Sequence, residues 1–143
     1  MASSALTAED RLEIAELVAK FSHYSDYCDW ERLAGLFTDD VVTTMSGIPH
    51  GYTGPEEQVK HARISAEGTN GKNRHYNYNL FIEADRDEVV AVYMFSNVNA
   101  GDEVFKPQAV VSGRMRDTVV KTPVGWRIAR RHVEFDQKVS FDF

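Results

Sequence analysis

The chain has a single cysteine, Cys28, among 143 residues, so no intrachain disulfide can form. A cytoplasmic location is the expectation that follows. No apolar run approaches the roughly 18 residues of a membrane span. Met1 to Asp10 is Ala/Ser-rich and acidic, without the apolar stretch a signal peptide carries. A basic surplus is missing too. Sixteen Lys and Arg against 22 Asp and Glu leave a net charge of −6, which argues against non-specific nucleic-acid binding and against an anionic membrane surface. His-x-x-x-His and Cys-x-x-Cys spacings are absent, as is a glycine-rich phosphate loop, so neither a metal nor a cofactor is expected. There are no repeats, no low-complexity segments and no linker-like stretch. Residues 1–143 read as one domain, large enough for a real core.

What is present is patterned. Thr7 followed by Asp10 is a helix N-cap signature, and Ile14, Leu17, Val18, Phe21 and Ser25 recur at helical spacing to about Tyr27. Asp29 caps a second short helix through Trp30, Leu33, Leu36 and Phe37, which Thr38-Asp39-Asp40 stops. Val41 to Met45 is a strand, with another short strand around Tyr52. Gly54-Pro55-Glu56-Glu57 starts a third helix running to about Ala66. The second half is β-rich: Arg74–Glu83, Glu88–Asn99, Gln108–Lys121 and Gly125–Asp136, joined by short turns as in an antiparallel meander. Helices first and antiparallel strands after predict an α+β fold, with the helices packed on the concave face of a strongly curved, mostly antiparallel sheet.

Alternation assigns the faces. In the first long strand Arg74, Tyr76, Tyr78, Leu80 and Ile82 share one side; His75, Asn77, Asn79 and Phe81 share the other. In the next, Val89, Ala91, Tyr93, Phe95, Asn97 and Asn99 form a face that begins apolar and ends in amides. In the last strand Trp126 and Ile128 are out of phase with Arg131, Val133 and Phe135, so either a β-bulge lies near Arg130 or both faces are buried. Amides and a histidine on a covered face need partners, and a polar pocket at one end of the concave side would supply them. The apolar outer face, with Tyr76, Tyr78, Leu80 and Ile82, predicts a homo-oligomer.

Chemistry concentrates in Tyr24-Ser25-Asp26-Tyr27-Cys28-Asp29-Trp30 and Arg74-His75-Tyr76. Together they offer one carboxylate and one imidazole on different elements, and an imidazole oriented by a carboxylate can abstract protons near neutral pH. Asp26 lies about 80° beyond the apolar arc on an ideal helical wheel, so the pairing requires the helix to end or bend there. Tyr24, Tyr52 and Tyr93 are candidate donors to a substrate oxygen. Cys28 reads as a small buried residue, and His61, on a charged helix, as exposed.

The order of these segments, with Asp-x-x-Asp-Trp at Asp26 to Trp30, Phe-Thr-Asp-Asp at 37–40 and a His-bearing strand, resembles the SnoaL-like group over residues 7–136. That group belongs to the cone-shaped α+β superfamily of nuclear transport factor 2, ketosteroid isomerase and scytalone dehydratase. In pattern the chain is most similar to scytalone dehydratase and lindane dehydrochlorinase. The resemblance implies His75 as general base, with Asp26 orienting it and stabilising its cation. It implies Arg131 as a pocket arginine, Ser112 and Arg114 as polar pocket residues, and Asn99 at the place of a second pocket histidine. Phe21 stands where the dehydrochlorinase has a pocket lysine, Ser25 where the dehydratase has a tyrosine, and Asn99 is not histidine, so neither known substrate is implied.

The expected function is a cofactor-independent, dehydratase-type lyase acting on a small apolar oxygenated molecule. His75 and Asp26 would be catalytic, and Arg131, Asn77, Asn97, Asn99, Tyr24, Tyr52, Ser112 and Arg114 would bind substrate. The alternatives are an isomerase, a polyketide-cyclase-like enzyme in which Asp26 acts without His75, and a non-catalytic binding or assembly protein. The dehydratase-like branch favours a trimer, with a dimer as the other option.

Overall fold

The computed structural model describes residues 6–85 and 87–138; most of the Ala/Ser-rich start and residue 86 of the Ala84–Asp87 turn fall outside them. The elements are α1 (Ala8–Asp26), α2 (Trp30–Ala34), β1 (Phe37–Met45), β2 (Tyr52–Thr53), α3 (Gly54–Gly68), β3 (Asn73–Ala84), β4 (Val89–Asn99), β5 (Gln108–Thr122) and β6 (Gly125–Phe135). Six strands form one curved mixed sheet in the order β2-β1-β6-β5-β4-β3. Strands β3 to β6 are the expected antiparallel meander, while β1 runs parallel to β6. The fold is α+β, and the helices cover the sheet's inner face through a core that includes Ile14, Leu17, Leu33, Val41, Ala91, Tyr93, Met115, Trp126 and Ile128.

One boundary differs from expectation. The second helix stops at Ala34, and β1 begins at Phe37 instead of Val41. Sheet pairing outweighs the helical spacing of Leu33, Leu36 and Phe37: the Ile128 N–H donates to the Leu36 carbonyl at 2.9 Å, and Phe37 pairs with Ile128.

Two bulges set the faces. In β6, Thr118 pairs with Arg130 but Val119 with Ile128, which leaves Ala129 as the extra residue. That resolves the phase conflict, and Trp126, Ile128, Arg131 and Val133 are all buried. In β3 the register slips between Tyr78 and Phe81, where Asn79 adopts φ 55°. The slip inverts the expected parity: Ile82 turns to the core and Phe81 turns out, 47% exposed. The outer face therefore carries Tyr76, Tyr78, Phe81 and Met94, not Ile82.

The start of α1 is tied to the last strands. Thr7 and Asp10 form a reciprocal capping box, and the same Asp10 carboxylate accepts from Trp126 Nε1 and Lys121 Nζ, each at 3.0 Å. The backbone N–H of Thr7, then Trp126 and Lys121, hold the Asp10 carboxyl well below the usual carboxylate range. A depressed folded-state value contributes stability that is fully present above the unfolded value and lost as pH falls through the folded one. Asp10→Asn is therefore expected to lower the urea midpoint by the same amount from neutral pH down to about pH 5, with the deficit closing only below about pH 4. A deficit that stays constant to the most acid conditions tolerated rejects this account.

Candidate active site

Helix α1 ends at Asp26, with Tyr27 as C-cap. The chain reverses through Cys28, which takes φ 61° and is exposed rather than buried, because it sits in the turn between two helices. Asp29 then caps α2 by accepting from the Arg32 N–H. Ending the helix there frees Asp26 from the wheel geometry that set it off the apolar arc. Its carboxylate reaches β3, where Oδ2 accepts the backbone N–H of His75 at 2.7 Å and Oδ1 lies 2.5 Å from His75 Nδ1.

The two side chains are 6% and 13% exposed. An ionised carboxylate only accepts, so Nδ1 is the donor of this bond, and in a neutral ring Nε2 is then the nitrogen with the lone pair. The Phe21 ring meets His75 edge-on at 5.8 Å between centroids.

His75 lines a cavity of about 390 Å³. Most of its exposed wall is apolar, from Phe21, Met45, Phe95, Val111, Met115 and Val133, while the polar residues that line it with His75 are Ser25, Tyr52, Gln58, His61, Ser65, Thr69, Asn73, Asn97, Asn99 and Arg131. Tyr52 stacks on His61 with centroids 3.9 Å apart. Burial pushes the Tyr52 phenol up to about 12, against the pull of the Arg131 charge. Tyr52 therefore keeps its proton at neutral pH and can donate. His61 lines the cavity rather than facing solvent; burial, then the Lys60 charge, lowers its pKa. Behind Tyr52, Thr43 Oγ1 donates to Gln58 Oε1 at 2.7 Å, and both residues are buried.

Arg131 reaches the cavity but is not a free cation. Its Nε and Nη2 donate to the two Asp117 oxygens at 2.7 and 2.8 Å. Tyr93 donates to Asp117 at 2.7 Å and accepts from Arg131 Nη2 at 3.2 Å. Burial alone would lower the arginine's pKa, but the Asp117 carboxylate holds it above its ordinary value. The guanidinium also lies over the Phe21 ring, 3.7 Å from its centroid. Asp117, fully buried, was not foreseen. Its signal in the sequence is a carboxylate on the apolar parity of β5, with Gly113, Met115 and Val119, in cross-strand register with Arg131.

Of the expected site residues, His75, Tyr52, Asn97, Asn99 and Arg131 line the cavity, and Asp26 stands behind His75. Four expected binding residues do not line it. Tyr24 is one position off the inward face of α1 and packs under the Arg32 guanidinium, in a separate surface cleft. The Asn77 amide turns to α1 and donates to Ser22 Oγ at 2.8 Å. Ser112 and Arg114 alternate with the inward-facing Val111, Gly113 and Met115, so both point outward. Ser112 donates to Asp136 at 2.7 Å, and Arg114 is exposed.

The inward side of β5 also explains Gly113: a Cβ there would sit 2.0 Å from the Glu134 carbonyl and 2.8 Å from the Phe95 ring. Among the described residues no cluster of His, Cys, Asp and Glu could hold a metal ion. None of their helices is long and apolar enough to cross a membrane.

A six-stranded curved sheet with helices on its inner face, enclosing an apolar cavity with a few polar groups, is the architecture of nuclear transport factor 2-like, cystatin-like proteins. The chain belongs to the SnoaL-like domain family, whose model matches residues 6–132. Similar solved structures include a Nostoc punctiforme protein of unknown function with a cystatin-like fold, 27% identical with a TM-score of 0.78, covering 92% of this chain and 94% of that one. A nuclear transport factor 2-like protein from Novosphingobium aromaticivorans is 21% identical, with a TM-score of 0.80 over 92% and 85% of the two chains. A Catenulispora acidiphila protein, solved in complex with S-DNPA, is 26% identical, with a TM-score of 0.72 over 91% and 96%. No curated protein matches.

Breaking a buried pair by removing one partner leaves an uncompensated charge. Asp117→Asn is expected to destabilise the fold by about 3–5 kcal/mol in urea denaturation. A loss below about 1 kcal/mol, the scale of an exposed pair, contradicts the assignment of Arg131–Asp117 as a desolvated ion pair.

Proposed function

We propose that the protein is a lyase of the dehydratase type, using His75 as general base and Asp26 as its partner on a small, largely apolar, oxygenated substrate. The observation that supports this reading is the 2.5 Å contact between His75 Nδ1 and the Asp26 carboxylate at the wall of the apolar cavity. His75 Nε2 takes a proton from the carbon next to a carbonyl. The electron pair left behind forms the new carbon–carbon double bond as the C–O bond to the neighbouring hydroxyl breaks. The imidazolium returns its proton to the departing oxygen, so water leaves and the base is regenerated. Asp26 holds the tautomer and stabilises the imidazolium. The Tyr52 hydroxyl, which also meets the Thr43 side chain, is the candidate donor to the substrate carbonyl. No cofactor takes part in this scheme. The pattern shared with scytalone dehydratase supports the same reading.

An isomerase would begin with the same proton abstraction and differ only in returning the proton to carbon. The cyclase reading, in which Asp26 acts alone, fits less well. Both Asp26 oxygens are engaged by His75, and its side chain does not line the cavity.

His75→Ala and Asp26→Asn are each expected to cut elimination from a β-hydroxy ketone by about 10²–10⁴-fold, followed by the absorbance of the conjugated product, with circular dichroism unchanged. Wild-type turnover in either folded variant rejects the dyad. No turnover of any such ketone by the wild type would favour a binding protein. The exposed Tyr76, Tyr78, Phe81 and Met94 support a homo-oligomer through the outer face, for which sedimentation at micromolar concentration should give a trimer or a dimer; a monomer excludes it.

A further inference from the structure

One imidazole on the cavity wall has no part in the elimination scheme. His61, on α3, lines the same cavity as His75. Its ring stacks on Tyr52, with centroids 3.9 Å apart and planes 19° from parallel. Burial, then the Lys60 charge, lowers its pKa, so the ring is uncharged at neutral pH. A general acid working there needs a pKa near or above that pH. A neutral ring laid flat on a phenol is instead a packing surface.

Tyr52 needs such support because its own strand gives little. β2 is two residues long and stands at the edge of the sheet, where Tyr52 pairs with Thr43 and Thr53 with Val42 of β1. One side of α3 supplies the rest. Glu57 accepts the Thr53 N–H at 2.5 Å, Gln58 Nε2 donates to the Tyr52 carbonyl at 3.3 Å, and His61 covers the ring. Residues 58 and 61 are three apart and 57 and 61 four apart, the spacings that put side chains on one side of a helix. Gln58 Oε1 also accepts from Thr43 Oγ1 at 2.7 Å. The Tyr52 backbone is thus held by Gln58 and the β1 ladder, while its ring is held by His61.

We infer that His61 is a positioning residue for Tyr52: its ring, and not a proton on it, fixes where the phenol hydroxyl stands at the cavity wall. This rests on the elimination reading in one respect, Tyr52 as donor to the substrate carbonyl. Charge developing on an oxygen is stabilised best by a donor already in place, and a misplacement of about 1 Å can slow a reaction about a hundredfold.

A double-mutant cycle on elimination from a β-hydroxy ketone tests it, with circular dichroism to establish folding. His61→Leu removes the ring and is expected to lower kcat about 10–100-fold, with KM within about twofold of wild type. His61→Phe restores a ring and is expected to recover kcat to within about threefold of wild type. In a Tyr52→Phe background there is no hydroxyl to place, so His61→Leu is expected to slow turnover by less than about twofold more. A folded His61→Phe as slow as His61→Leu overturns the inference and makes His61 a proton carrier. Losses that multiply across the two positions overturn it as well, and they decide alone if His61→Phe does not fold. The order parameter of the Tyr52 ring, from carbon-13 relaxation of tyrosine-labelled protein assigned with Tyr52→Phe, needs no turnover. It is expected to be about 0.85 in wild type and His61→Phe and to fall below about 0.6 in His61→Leu. An unchanged value in folded His61→Leu overturns the inference. If wild type dehydrates no ketone, the lyase reading fails, and the ring order alone then judges His61.

Discussion

The carboxylate of Asp26 is the joint on which the arrangement depends. One oxygen holds the backbone of β3 and the other holds the ring of His75. The residue that orients the base therefore also fixes the strand that carries it. A helix terminus alone would leave the imidazole free to rotate, and β3 is an edge strand with a neighbour on one side only. The double contact couples the helix layer to the sheet at the point where the chemistry is proposed. Phe21 closes the other side of the ring and passes the constraint on to Arg131 and Asp117.

Around that joint, the interior divides its polar groups into two kinds. Asp117, Arg131 and Tyr93 satisfy one another completely enough to be buried under the cavity floor. They neutralise their own charge and stiffen β5 against β6. Tyr52 and Asn97 line the cavity instead. Apolar walls around them lower the local dielectric and strengthen whatever hydrogen bonds a ligand makes.

Much of this could be read from the chain, and the failures have local causes. Helix caps and strand runs were visible because Thr7, Asp10, Asp29 and the turn residues act locally. The pairing of Asp26 with His75 came from resemblance, not from periodicity, since the wheel placed Asp26 off the buried arc. Parity succeeded for β4, where no shift interrupts Val89 to Asn97, and failed for β3, where Asn79 inserts a left-handed residue. The phase conflict in β6 did betray its bulge. Ser112 and Arg114 were misplaced because only the resemblance assigned them, whereas alternation along β5 sets them opposite the buried Gly113 and Met115. Asp117 was missed because a lone carboxylate in a strand looks solvated until the arginine across the ladder is known.

The parallel pairing of β1 with β6 has a consequence for how the chain is built. Thr38 touches the Ile128 carbonyl across 90 residues, and Trp126 reaches back 116 residues to Asp10. Contacts of such separation form late, because the loop they close must first give up its conformational freedom. On a ribosome, the N-terminal helices emerge long before the strand that secures them. Their apolar stripe stays uncovered until β6 has been synthesised, so the vulnerable interval for this fold runs from the emergence of the helices to that of β6.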